Sequence, residues 1–229
     1  MKRRAFSAQV MGLATLGLGG AVGSLEAWAQ APGAPVEGKH YKRVNPPVPS
    51  GGDGKIEVLE FFWYGCPHCY AFEGPLEAWS KRLPGDVVLK RVPVAFRQEP
   101  FVMHQKLYYT LEALGLVDKL QRKAFDEIHL NRDASEQRAR LASVEQVGAF
   151  AEKNGLDKAQ FLSVFNSFSV GTKVGQAQKL STAYQIDGVP ALGVQGRYFT
   201  SGAMAGDMDK ALAVTDFLIK QVRAGGGKA

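Results

Sequence analysis

The run Ile56-Glu57-Val58-Leu59-Glu60-Phe61-Phe62-Trp63 places apolar side chains on both faces of an extended chain. Such a strand must be covered on each side, so it belongs in the middle of a sheet flanked by helices. Gly65 and the segment Cys66-Pro67-His68-Cys69 follow at once. Beyond them Phe72, Leu76, Trp79 and Leu83 recur at spacings of four, three and four, which marks one face of a helix. Pro75 lies inside that helix, where it removes a backbone donor and crowds the carbonyl of Ala71, so a kink is expected. Asp86 to Ala95 reads as the next strand, with Pro93 near its end. The order strand, helix, strand is a crossover unit.

Residues 100–184 carry helical patterns and little strand character. Leu107, Leu111 and Leu114 stop at Gly115, and Leu120, Ala124, Phe125 and Ile128 stop near Asn131. Ser143 with Gln146, and Asp157 with Gln160, fit capping boxes that open two further helices, the first ending at Asn154-Gly155. A last helix covers about Val170 to Tyr184 and is placed to pack back on the sheet. Pro190 to Gln195 and Arg197 to Thr200 then form a hairpin around Gly196, and Asp207 to Val222 is a final amphipathic helix with Lys220 and Arg223 suiting its carboxyl end. The fold class is α/β: βαβ over 55–99, an all-helical insertion over 100–184, and ββα over 185–224, with a flexible tail at 225–229. Residues 30–54, rich in proline, are an extended lead-in with Tyr41 to Val44 as a possible edge strand.

At the amino end, Lys2, Arg3 and Arg4 precede 21 uncharged residues from Ala5 to Leu25, and Ala27-Trp28-Ala29 offers a small-residue cleavage pattern. This predicts a signal peptide over 1–29 and export. A membrane anchor is the alternative, but Gln9 and five glycines weaken the stretch as a span. Arg3-Arg4-Ala5-Phe6 also resembles a twin-arginine signal, so threaded and folded export both stay open. The chain beyond residue 29 holds 25 basic and 21 acidic side chains, scattered rather than clustered, which fits a soluble surface and no nucleic-acid partner.

Both cysteines of the chain lie beyond that cut, in a protein sent where disulfides persist. A bond between positions i and i+3 closes almost no loop, so it must serve chemistry rather than stability. Pro67 suits the first turn of a helix, where its missing N–H costs nothing. Cys66 then sits at the helix mouth, where free backbone N–H groups, the helix dipole and His68 favour its thiolate. Stabilising that thiolate favours the dithiol over the disulfide, so the disulfide form becomes an oxidant. Cys66 is thereby read as an exposed nucleophile and Cys69, one turn inward, as the resolving thiol, with Pro67 and His68 as tuning residues. Zinc would need more ligands than two cysteines and His68 unless His40, His104 or His129 joined them. Haem attachment would need histidine where Tyr70 stands.

Glu60 is the odd residue of the central strand. It shares a face with Ile56, Val58 and Phe62, so its carboxylate must be paired, protonated or functional, and burial would raise its pKa. Phe61, Phe62, Trp63, Phe72 and Trp79 follow strand and helix periods and are read as core. Tyr64, directly before Gly65, is placed to border the dithiol and meet apolar side chains of a substrate.

The sequence resembles the DsbA family of bacterial periplasmic thiol-disulfide oxidoreductases through Val58-Leu59-Glu60-Phe61-Phe62, Cys66-Pro67-His68-Cys69-Tyr70, Phe72-Glu73 and Gly188-Val189-Pro190-Ala191. The resemblance spans nearly all of the chain beyond the signal peptide. It implies a thioredoxin fold with a helical insertion and a cis-proline at Pro190 opposite the dithiol, with Val189 offering its backbone to a bound peptide. Pro190 read alone would be a trans-proline opening a strand. The resemblance also implies that Glu60 relays the proton of Cys69, and that Glu73 with Lys90 or Arg91 forms a nearby charged pair.

The activity it implies is donation of the Cys66-Cys69 disulfide to reduced, unfolded exported proteins in the periplasm, with no cofactor beyond the disulfide itself. A membrane quinone-linked reoxidase of the DsbB type would restore the disulfide. An isomerase or reductase using the same site is the nearest alternative. Isomerases of this superfamily add an amino-terminal dimerisation domain for which Gln30 to Gly54 is too short, so a monomer is expected. A non-catalytic peptide-binding chaperone and a glutathione-using enzyme of the same architecture are further alternatives.

Overall fold

The computed structural model describes residues 33–50, 54–130 and 140–226; the predicted signal peptide and the end of the tail lie outside the described residues. The chain divides into units 1–34 and 35–229. Only Gly33 and Ala34 of the first are described, and the helices and strands named below all belong to the second.

The lead-in supplies strand β1 (Lys42–Arg43), and the apolar run forms β2 (Ile56–Phe62), buried along its whole length. Helix α1 (Pro67–Ser80) runs through Pro75 and returns the chain to β3 (Val87–Pro93), which pairs parallel with β2. The insertion contributes α2 (Phe101–Ala113), α3 (Val117–His129), α4 (Val144–Lys153), α5 (Lys158–Phe165) and α6 (Phe168–Ala183). The chain then forms β4 (Ala191–Val194), β5 (Tyr198–Ser201), the short α7 (Gly202–Ala205) and α8 (Met208–Ala224). The sheet order is β1-β5-β4-β2-β3, antiparallel except at β2-β3.

Each face of β2 is covered, as its composition requires. Ile56 and Val58 pack with Phe72, Leu76 and Trp79 of α1 and with Leu218 and Val222 of α8. Leu59 and Phe61 face the insertion, whose helix α6 carries Val170 and Ala177 into the same cluster. Tyr184 beyond α6 packs closely on β4: a Cβ on Gly193 would stand 2.5 Å from its ring. Phe62 departs from the strand's period. It packs against Tyr64, Tyr108 and Phe125, because α2 and α3 cap this end of the sheet and draw its last side chain toward them. Leu83 lies beyond the end of α1, which stops at Ser80, yet still packs on the core from the following turn.

The caps follow from local chemistry. Ser143 Oγ accepts the Gln146 N–H at 3.3 Å while the Gln146 side chain accepts the Ala142 N–H at 2.8 Å. Asp157 accepts the Gln160 N–H at 2.6 Å. The hairpin turns through Gln195 (φ 51°) and Gly196 (φ 65°), the two left-handed positions of a tight turn. A Cβ on Gly196 would meet the Val48 carbonyl oxygen at 1.7 Å, so the lead-in passes where only glycine leaves room.

Candidate active site

The sheet register brings the dithiol and the proline loop together. Phe61 of β2 pairs with Ala191 at the start of β4, antiparallel. Continuing past those partners, one strand leads to Cys66 and the other back to Pro190 and Val189. The Val189–Pro190 bond is cis, and Cys66 Sγ lies 3.4 Å from the Val189 carbonyl oxygen. That loop lies across the sulfur, so Cys66 is only 8% exposed, against 0% for Cys69. The exposed nucleophile expected from the sequence is therefore nearly covered, although it remains the more accessible of the two.

Both cysteines are free, so the structure shows the dithiol. Cys66 is the N-cap residue of α1 and Pro67 occupies the first turn. The Cys66 pKa is lowered to about 6, first by the hydrogen bond from the Cys69 thiol, which outweighs the opposing effect of burial, and then by the N–H groups of Cys69 and His68 and the His68 charge. The Cys69 thiol is pushed well up, chiefly by burial and then by its bond to Cys66. Two sulfurs one helical turn apart thus hold opposite protonation states near neutral pH. His68 and Pro67 are exposed beside them.

Glu60 lies beneath the dithiol, fully buried. Its register partner on β3 is Arg91, whose Nη1 donates to Glu60 Oε2 at 2.8 Å. The same guanidinium holds Glu73 of α1 through two bonds of 2.9 and 2.7 Å. Two carboxylates therefore share one cation, and the cluster becomes neutral when one of them holds a proton. Glu60 is the one suited to it: burial, opposed by Arg91 and helped by Glu73, raises its pKa to about 7. Its Oε1 has no hydrogen-bond partner among the described residues, so one oxygen is available to carry that proton.

Lys90 does not join this cluster. Side chains alternate along β3, so Lys90 points to the other face and pairs with Glu57 at 2.6 Å. Of the two basic residues expected near the site, the structure brings in Arg91 and leaves Lys90 out. Tyr64 also differs from expectation. It is 0% exposed, and its hydroxyl donates to Gln121 Oε1 at 2.5 Å, so it cannot meet a substrate. Trp63 is folded over Gly65, where a Cβ would stand 2.3 Å from the indole, and stacks on Phe101 at 4.1 Å between centroids.

The other histidines are engaged separately. His40 accepts from the Val36 N–H at 2.9 Å, His104 is buried against the Arg140 carbonyl at 3.0 Å, and His129 bonds the Tyr64 carbonyl at 2.7 Å. Among the described residues no group of three or more His, Cys, Asp or Glu could hold a metal. Gln121 and His129, both against Tyr64, belong to no motif that sequence reasoning picks out. The available signal is their placement with Phe125 at i, i+4 and i+8 on one helix face.

A thioredoxin-type sheet with a Cys-x-x-Cys at the mouth of α1, facing a cis-proline, defines a thiol-disulfide oxidoreductase. Comparison with known proteins narrows the class. Residues 91–212 match the family model for the DSBA-like thioredoxin domain. The thiol:disulfide interchange protein DsbA of Burkholderia cepacia is 43% identical over 209 residues, covering 91% of this chain and 94% of that protein. Its namesake from Bordetella pertussis is 49% identical over 197 residues, covering 84% and 90%. The crystal structure of Pseudomonas aeruginosa DsbA superposes with a TM-score of 0.77 at 39% identity, covering 84% of this chain and 97% of that one. The chain belongs to the DsbA family, and it is an oxidoreductase that donates disulfides.

Proposed function

We propose that the Cys66-Cys69 disulfide passes to reduced, unfolded proteins through a mixed disulfide on Cys66, with Glu60 relaying the proton of Cys69. The observation that carries this reading is the opposite tuning of the two sulfurs, Cys66 lowered to about 6 and Cys69 raised. A client thiolate attacks Cys66 Sγ and breaks the Cys66-Cys69 bond. The Cys69 sulfur leaves with the electron pair and takes a proton from Glu60. A second client thiolate then attacks the client sulfur of the mixed disulfide and expels Cys66, whose stabilised thiolate is a good leaving group. The client loses two electrons and the dithiol gains them. In reoxidation Glu60 runs in reverse and accepts the Cys69 proton, and a pKa near the working pH suits both directions.

Arg91, held by Glu73, keeps the Glu60 carboxyl in place, and the Val189 backbone offers its polar groups to an extended client. The uncharged stretch from Ala5 to Leu25, followed by Ala27-Trp28-Ala29, supports export to the periplasm. A membrane quinone-linked reoxidase would restore the disulfide, no other cofactor takes part, and the protein works as a monomer. The test is a trapping experiment on the exported chain. Cys69→Ala, its Cys66 first charged as a mixed disulfide with glutathione, should release glutathione to a reduced unfolded protein bearing a single cysteine and accumulate the Cys66–client mixed disulfide, while Cys66→Ala should form none and oxidise nothing. Undiminished client oxidation by Cys66→Ala would overturn the reading. Client holding without oxidation by the unsubstituted chain would point to the chaperone alternative.

A further inference from the structure

Helix α3 meets the dithiol segment along a stripe that the exchange steps do not use. Gln121, Phe125 and His129 lie four residues apart within α3, so they share one face of the helix over about 12 Å. Gln121 accepts the Tyr64 hydroxyl hydrogen. Phe125 packs edge-on against the Tyr64 ring at 5.0 Å between centroids. His129 Nε2 stands 2.7 Å from the Tyr64 carbonyl oxygen. A carbonyl only accepts, so Nε2 must carry a proton. Burial lowers the His129 pKa, which favours the neutral ring protonated at Nε2.

The same imidazole reaches the other flank of the dithiol. It stacks on Tyr70, with centroids 4.8 Å apart and planes 13° from parallel. Tyr70 follows Cys69 directly, and its hydroxyl donates to Asp126 Oδ1 at 2.8 Å. Arg122 lies over the Tyr70 ring, 4.2 Å from its centroid, while bonding the Asp126 carboxylate at 3.0 Å. Helix α3 therefore grips Tyr64, two residues before Cys66, and Tyr70, one residue after Cys69. One side chain, His129, belongs to both grips.

We propose that His129 is a positioning residue for disulfide exchange: by holding the Tyr64 carbonyl and the Tyr70 ring together, it fixes the start of α1 and with it the N–H groups that face Cys66. It acts through residues 64 and 70 rather than on the sulfurs, and it makes the helical insertion part of the redox site. The inference rests on the reading of Cys66 as the sulfur that carries the mixed disulfide and leaves as a stabilised thiolate.

Thiolate absorbance titration of the reduced chain tests it, together with the rate at which the disulfide form oxidises a reduced unfolded protein at pH 7. His129→Leu removes both the donor and the ring; it should raise the Cys66 midpoint by at least about half a pH unit and slow exchange roughly threefold or more. His129→Gln restores a donor toward the carbonyl and should recover at least half of each change. A folded His129→Leu protein with the wild-type midpoint and rate overturns the proposal. The wild-type midpoint separates this failure from that of the parent reading, because a free-thiol value there sinks the Cys66 assignment whatever His129 does. Should His129→Leu not fold, nitrogen NMR of the wild-type imidazole decides. The Nε2–H tautomer, with shifts that move between the dithiol and disulfide forms, is expected; the Nδ1–H tautomer, or shifts indifferent to redox state, contradicts it.

Discussion

Lowering the pH from 7 to 5 should weaken the dithiol form of this protein relative to its disulfide form. The Cys66 pKa of about 6 in the folded chain stands against an ordinary 9.0. A depressed pKa adds stability that is complete above the unfolded value and is lost as pH falls through the folded one. Titration between those two values gives roughly 1.4 kcal/mol at pH 7 and almost nothing at pH 5. The sulfur's remaining contact with solvent past the Val189-Pro190 loop reduces this to about 1 kcal/mol. Cys69 does not add to the change, since burial keeps it protonated throughout that window. Glu60 works in the opposite sense: its pKa is raised to about 7, so its cost grows as pH rises, but it is present in both redox forms and cancels in their difference. Urea unfolding of the reduced and oxidised proteins at pH 5, 6 and 7 measures that difference. The dithiol form should gain about 1 kcal/mol on the disulfide form across the range, equivalent to about 20 mV of oxidising power. A gap independent of pH would refute the helix-mouth account of Cys66.

Three substitutions probe the remaining structure. Glu60→Gln keeps the bond to Arg91 but cannot relay a proton, so exchange should slow roughly ten- to a hundredfold and lose its pH dependence near 7, as read by stopped-flow kinetics. The same variant removes a buried carboxylate whose pKa is raised, so unfolding at pH 8 should show it more stable by about 1 to 3 kcal/mol, with no gain at pH 4. Gly196→Ala forces a side chain into a left-handed turn and onto the Val48 carbonyl, and should cost about 3 kcal/mol in denaturant unfolding. Asp157→Ala removes the cap of α5 and should cost about 1 kcal/mol in the same assay.

The sheet and the dithiol are legible in the sequence because their signals are local. An unbroken apolar run admits little except a strand covered on both sides, and Pro67 beside Cys66 marks a helix mouth without help from elsewhere in the chain. Glu60 is conspicuous for the same reason, as a carboxylate where burial is already required. Its partner is not. Whether Lys90 or Arg91 faces Glu60 depends on the register of β3 against β2, which neither strand encodes alone. The burial of Tyr64 depends on Gln121, Phe125 and His129, all more than 55 residues away in sequence. In sequence His129 reads only as a candidate metal ligand, because a bond from its ring to a backbone carbonyl leaves no signature. The near coverage of Cys66 likewise comes from a loop 123 residues distant, brought there by the β2-β4 pairing.

The reduction potential of the Cys66-Cys69 couple, equilibrated in glutathione buffers at pH 7, tests most directly whether this site is built to give its disulfide away. A value more oxidising than about −180 mV is predicted, beyond that of protein disulfide isomerase, whereas one near about −270 mV, as in thioredoxin, would contradict the account.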